Sequence, residues 1–364
     1  MQEKLNTCLV PPASCFLPPA SYRRIKLPLP TDQKIRAAVI GAGAFGRNHA
    51  RVYRQLEQEG AGVELAAIVD TDAVRAAAVS REFGNPPCLS LSDLRGRVDA
   101  ASVVVPTVEH LKVARVLMEA GIDVLIEKPL APSLAEADEI VRVAERTGRV
   151  AQVGHLERFN PAVRATVPLL TKPMFFEVHR LSVFTPRSLD IDVILDLMIH
   201  DLDIVLSFVD SPVKEIRAVG LPILTPRVDI ANVRMEFESG CVANFTASRV
   251  STERVRKLRF FQPQQYISID YSRQDVMVFT VDLSVAAAKA SPNPGIGMQK
   301  PRVVSEEPLH AELRSFLDAV RHRTPPQVPL EDGRRALAVA LDVLAEIKEH
   351  SRRVGLDALW GNPS

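Results

Sequence analysis

Cysteine is scarce in this chain of 364 residues: Cys8, Cys15, Cys88 and Cys241 are scattered, with no pair at metal-ligand spacing. That excludes a disulfide framework and predicts a reducing, cytoplasmic setting. Excess charge is also missing, since 45 Lys and Arg against 44 Asp and Glu leave a formal net charge of +1. A dedicated nucleic-acid or anionic-membrane surface is therefore not expected. No apolar run is both long enough and free enough of charge to span a bilayer. No internal repeat is visible, and the length fits roughly two domains. Residues 1–31 lack apolar periodicity, because Pro11, Pro12, Pro18, Pro19, Pro28 and Pro30 interrupt it. They read as a flexible extension.

Order begins at about Ile35. A short apolar run, RAAVI, leads into GAGAFG and then into a helical pattern, which places the glycines at a strand-to-helix turn. In such a turn Gly41 allows the sharp reversal, Gly43 lets a pyrophosphate approach the backbone, and Gly46 permits close packing of helix on strand. Ala44 and Phe45 lie between them, where a helix N-terminus would face the phosphates. A second strand, VELAAIV, ends at Asp70, whose carboxylate suits a ribose hydroxyl and repels a 2′-phosphate. Thr71 and Asp72 supply no arginine beside it, so NAD is expected over NADP. Alternating strands and helices continue to Val153 and predict a mostly parallel sheet covered on both faces. Ligands bind beyond the carboxyl ends of such strands. One strand ends at Pro106 and Thr107 with His110 close behind, and the next ends at Glu127, Lys128 and Pro129.

After Val153 the pattern becomes a series of strand-like segments with few helices, predicting a largely antiparallel sheet, and a helical tail follows from about Leu309. The fold class is thus α/β: a flexible extension over 1–31, a Rossmann domain over 32–153, and a second α/β domain with an open sheet over 154–364. One segment of the second half, VILDLMIHDLDIVLSFV (Val193 to Val209), is nearly apolar throughout. At about 100° per residue Asp196, His200, Asp203 and Ser207 form a stripe, and Asp201 alone points elsewhere. Buried carboxylates need partners or a cavity. The stripe is a satisfied core network, the wall of a cleft or, least favoured because no second His or Cys stands at ligand spacing, a metal site.

The ordered set AVIGAGAFGRNHA, VVVPTVEH, VLIEKPLA, VGHLERFNPAV and DLMIHDLD resembles the Gfo/Idh/MocA oxidoreductases over about residues 34–355. That resemblance implies an NAD(P)-dependent enzyme and assigns catalysis to Lys128, Asp196 and His200. It also implies that the open sheet forms a homodimer or homotetramer. Many members carry glycines before the Asp-x-x-x-His helix, where this chain has DIDVILDLMIHD. Together with HRLSVFTPRS and CVANFTASRVS, this is similar to the branch of UDP-N-acetylglucosamine 3-dehydrogenases. The small-molecule substrate implied is a nucleotide-sugar oxidised at its C3 hydroxyl. His200 is the expected base with Asp196 holding its tautomer, and Lys128 polarises the reacting oxygen; the roles of Lys128 and His200 are interchangeable at this stage. Arg158, Asn160, His179, Arg180 and Arg249 are the expected substrate contacts, the last three toward a diphosphate. The rival readings are an inositol-type dehydrogenase, sharing the catalytic residues, and a non-catalytic NAD-sensing regulator.

Overall fold

The computed structural model describes residues 33–84, 86–185, 191–282 and 295–355. The expected extension over 1–31 lies outside the described residues. The first half contains β1 (Ile35–Ile40), α1 (Ala44–Gln58), β2 (Val63–Val69), α2 (Ala73–Glu82), β3 (Ala100–Val103), α3 (His110–Glu119), β4 (Asp123–Glu127), α4 (Leu134–Thr147) and β5 (Ala151–Gly154). The strands form a parallel sheet in the order β2-β1-β3-β4-β5. A single parallel bridge from Ile68 to Cys88 adds the trace of a sixth strand beside β2. β3 and β4 are buried at every residue, as strands with both faces covered must be. Strand order reverses between β1 and β3, so the loops after these strands open the crevice where such sheets take ligands.

The second half carries a short helix, α5 (Pro161–Thr166), then β6 (Phe175–Val183), α6 (Ile199–Phe208) and the strands β7 (Val213–Leu221), β8 (Ile230–Phe237), β9 (Val242–Ser251), β10 (Val255–Gln262), β11 (Gln265–Asp270), β12 (Asp275–Asp282) and β13 (Gly295–Gln299). They form one sheet in the order β13-β12-β11-β10-β6-β9-β8-β7, in which only β6 and β9 run parallel. Burial alternates along β8, β9 and β10, the mark of a sheet with one covered face. Phe176, Val178, Leu258 and Phe260 point to that face and pack against Ile199, Leu202 and Val205 of α6.

The tail forms α7 (Pro308–His322) and α8 (Leu330–Arg353). The division at residue 153 needs one correction. Leu309, Leu313, Phe316, Leu317 and Val320 of α7 join the core of the first sheet and α1, and Arg321 donates to the Gly62 carbonyl at 2.7 Å. α7 is far from the Rossmann segment in sequence, yet its apolar stripe matches a face that α1 leaves open. α8 spans both halves: Leu330 and Leu337 pack with the first sheet, whereas Ala336, Val339, Ala340, Val343 and Ile347 pack with the second.

Candidate active site

The glycine turn has the geometry its spacing predicts. Gly41 has φ +99°, and a Cβ there would stand 2.4 Å from the Val104 carbonyl oxygen; one on Gly46 would stand 1.7 Å from the Gly41 oxygen. At Gly43 a Cβ would meet nothing within 4 Å, so the space beside that backbone is open. Gly43 caps α1 without a side-chain hydrogen bond, and no acidic residue occupies the first turn. The leading N–H groups of α1 therefore lack a capping side chain and suit a pyrophosphate, with Ala44 and Phe45 exposed beside them. Asp70 Oδ2 accepts from the Ala42 N–H at 2.7 Å and Oδ1 from the Asp72 N–H at 2.8 Å, which binds the end of β2 to the loop. The expectation that no arginine stands near Asp70 is corrected: the first turn of α2 brings Arg75 Nε to 3.8 Å from its carboxylate.

Across the crevice, Pro106 is exposed and Thr107 partly so. His110, expected at the cofactor, is instead buried, with Nε2 3.0 Å from the Val105 carbonyl and Nδ1 3.1 Å from that of Pro129. It ties the loop after β3 to the loop after β4, and burial lowers its pKa. Glu127 is likewise turned inward, with Oε1 3.1 Å from His49 Nε2. Such placements support Lys128 from behind. His49 was not anticipated, although its place on the apolar stripe of α1, between Gly46 and Tyr53, is a visible signal.

Lys128 Nζ reaches into the second half, donating to the Asp196 main-chain carbonyl at 2.7 Å and lying 3.4 Å from its carboxylate. Ile194–Met198 forms a widened π turn before α6, which loosens the regular helical ladder at the residue that receives Lys128. The expected contact of Asp196 with His200 is not formed. His200 Nδ1 is shielded from solvent and has no hydrogen-bond partner. Burial, then the nearby charges of Lys128 and Arg180, push the His200 pKa well down. His200 is consequently neutral at neutral pH and available to accept a proton. His155, at the end of β5, is fully buried with neither ring nitrogen bonded. Its pKa is lowered by burial, while Asp203 acts in the opposite direction.

The helix's remaining carboxylates, Asp203 on the stripe and Asp201 off it, belong to a buried ion network. Asp201 binds Arg180 through two contacts of 2.6 and 2.9 Å, and Glu157 holds the same guanidinium at 3.0 Å. Asp203 binds Arg158 in the same two-point manner, with Asp332 at 3.1 Å. Ser207 donates to the Ile204 carbonyl. The expected substrate contacts are thus largely committed elsewhere. Asn160 caps α5 and donates to Glu157 and the Tyr271 carbonyl. Arg249 is buried, 3.5 Å from Asp229 and bonded to the Ile191 carbonyl. His179 alternates with Val178 and Arg180, which puts it on the uncovered face of the sheet, away from Lys128. Sequence spacing alone did not reveal these pairings because the carboxylate partners lie on other elements.

Residues 35–155 match the model of an oxidoreductase family with an NAD-binding Rossmann fold, and residues 175–267 match the GFO/IDH/MocA C-terminal domain. The chain belongs to the Gfo/Idh/MocA oxidoreductases. A relative from Acidithiobacillus ferrooxidans, named UDP-N-acetylglucosamine 3-dehydrogenase, is 36% identical over 320 residues, covering 88% of this chain and 99% of its own. A solved structure of that dehydrogenase aligns with a TM-score of 0.79 at 35% identity, over 87% of this chain and 98% of the other. The scyllo-inositol 2-dehydrogenase (NAD(+)) of Bacillus subtilis is 29% identical over 240 residues, 60% of this chain and 69% of the relative. At 17% identity, levoglucosan dehydrogenase in complex with NADH shares the fold, with a TM-score of 0.75 over 87% of this chain and 98% of that one. Among the described residues no three His, Cys, Asp or Glu side chains group as metal ligands, and no helix is long and apolar enough to cross a membrane.

Proposed function

We propose that this oxidoreductase, acting in the cytoplasm, oxidises the C3 hydroxyl of a UDP-sugar, UDP-N-acetylglucosamine, to a ketone with NAD. The observation that carries the reading is the reach of Lys128 from the crevice edge to Asp196, one turn before a neutral His200. The choice of substrate is supported by the Acidithiobacillus relative, which matches along nearly its whole length. Bound beyond the glycine turn, NAD would supply the hydride acceptor. His200 removes the hydroxyl proton, its pKa held down until the substrate arrives, and Lys128 donates a hydrogen bond to the same oxygen as negative charge develops. Asp196 holds Lys128 in place through its carbonyl and carboxylate, which replaces the tautomer-holding role expected for it.

NAD is favoured over NADP because the Asp70 carboxylate repels a 2′-phosphate. Arg75 weakens that preference without cancelling it, since it is also engaged by Asp72 at 3.2 Å. A panel of UDP-sugars, free sugars and inositols with NAD, followed by NADH formation in the presence of an aminotransferase that consumes a 3-keto product, tests the assignment. Turnover of UDP-N-acetylglucosamine is expected. Oxidation of myo-inositol with UDP-N-acetylglucosamine inert would move the protein to the inositol-type reading, which the Bacillus relative favours.

The uncovered sheet face supports a homodimer or homotetramer. Phe175, Phe261, Tyr266, Phe279 and Met298 occupy successive paired positions across β6, β10, β11, β12 and β13. Three ring contacts of 5.8, 4.9 and 5.4 Å join the aromatic residues, and Met298 is 66% exposed. Burying such a row against a second copy removes an apolar patch from water. Light scattering should give twice or four times the chain mass, and Phe261→Glu should give the monomer.

A further inference from the structure

Of the arginines around the site, Arg158 before α5 and Arg180 and Arg249 on the sheet are each held by carboxylates. Arg256 is different. It stands directly opposite Arg180 in the β6–β10 pairing, so both guanidinium groups leave the same covered face. Its Nε is shut off from solvent with no hydrogen-bond partner, and no carboxylate among the described residues forms an ion pair with it. Of the nearby acids, Asp201 is taken up by Arg180, and Glu157 is shared between Arg180 and Asn160. Burial, then the repulsion of Arg180, pushes the Arg256 pKa down, with Glu157 and Asp201 opposing the shift and Arg254 adding to it. Arginine nevertheless keeps its charge in proteins. The result is a half-buried cation with no carboxylate in direct contact among the described residues, and such an arrangement costs stability unless a ligand completes it.

The position of that cation is informative. The charge of Arg256 is felt at His200, where it helps to keep the imidazole neutral. In a nucleotide-sugar the diphosphate hangs from C1, two ring carbons from the reacting C3, so an anion partner must lie near the base. A guanidinium fork matches two phosphate oxygens.

We propose that Arg256 anchors the diphosphate of the substrate, with Arg180 as its fixed, already neutralised neighbour. This rests on the nucleotide-sugar reading and names the side chain that would enforce it. It replaces Arg180 and Arg249, whose partners leave them no free fork. A bound diphosphate also offsets the Arg256 charge, the smallest of the cationic influences on His200.

The test uses the full chain saturated with NAD, so that the dinucleotide phosphate site is filled. UDP and inorganic pyrophosphate binding are measured by calorimetry for the parent, Arg256→Met and Arg256→Lys, with melting temperature and NAD affinity as checks of the fold. Arg256→Met should weaken both probes tenfold or more and raise KM for UDP-N-acetylglucosamine more than it lowers kcat, and Arg256→Lys should recover part of the loss. Parent-like UDP and pyrophosphate affinity in Arg256→Met overturns the proposal, even if UDP-N-acetylglucosamine is a good substrate. If Arg256→Met does not fold, Arg256→Lys decides: threefold or greater weakening with unchanged NAD affinity supports the anchor, and parent-like affinity overturns it. A parent that binds pyrophosphate through Arg256 yet oxidises only inositols sinks the nucleotide-sugar reading while leaving the anion site standing.

Discussion

The two walls of the cleft are built by different means. The cofactor wall is main chain: Gly41, Gly43 and Gly46 shape it, and N–H groups at the start of α1 face the open space. The opposite wall is side chain, an array of arginines of which most are already bound to Asp201, Asp203, Glu157 and Asp229. A main-chain site tolerates few sequences, because an added Cβ collides. A side-chain site depends on which charges remain unpaired, a property of the folded array and not of any one residue.

Gly46→Ala should give the largest effect, since its Cβ would overlap the Gly41 carbonyl. Loss of soluble, NAD-binding protein is expected, whereas Gly43→Ala should fold normally and only weaken NAD; a stable, NAD-binding Gly46→Ala would break the comparison. Next comes Arg180→Met, which leaves Asp201 and Glu157 buried without their cation. Chemical denaturation should show a loss of about 3–5 kcal/mol, the range for breaking a buried pair, while Arg256→Met should cost far less or nothing. Equal losses would mean that Arg256 has a structural partner after all.

Catalysis sharpens the contrast further. Lys128→Ala and His200→Ala should each lower kcat by about 10²-fold or more, with NAD affinity little changed in calorimetry. Normal turnover in either would remove it from the mechanism.

Acid should act on both halves through their neutral imidazoles. The folded-state pKa values of His110, His155 and His200 lie below the ordinary value, so the unfolded chain binds more protons between the two values. Their stabilising contribution is present above about pH 6.5 and is lost as pH falls toward the folded values. The melting temperature of His155→Gln should therefore drop less on acidification than that of the parent. Buried Glu312, raised well above the usual carboxylate range by burial and then by Glu127, has the opposite sign. The melting-temperature advantage of Glu312→Gln over the parent should widen as pH rises above about 4.5. The smallest effect belongs to the ribose end: Asp70→Ala should narrow the preference for NAD over NADP, and equal affinities in the parent would discard that preference.

Where the sequence was legible follows from the same contrast. GAGAFG, the parallel strands and the second sheet could be read because glycine demands and apolar periodicity are local. Asp196 could be placed near Lys128 only through family resemblance, and the π turn over Ile194–Met198 escaped because nothing in ILDLM departs from a regular helical pattern. Arg180 misled because its partner Asp201 is 21 residues away. Arg256 carried no signal at all, since what distinguishes it is the absence of a partner.

The 24 residues of α8, about 36 Å of helix, have a consequence for how such proteins are assembled from parts. Gly333 in its first turn lies so close to β5 that a Cβ would touch the Val153 side chain at 2.6 Å, and Ile347 near its far end abuts Gly220 of β7. One rod thus keys into both sheets through a pair of glycine notches. A chimera that exchanged the cofactor half for that of another dehydrogenase would inherit mismatched notches whichever parent supplied the rod, so the two halves are expected to change together and not as interchangeable modules.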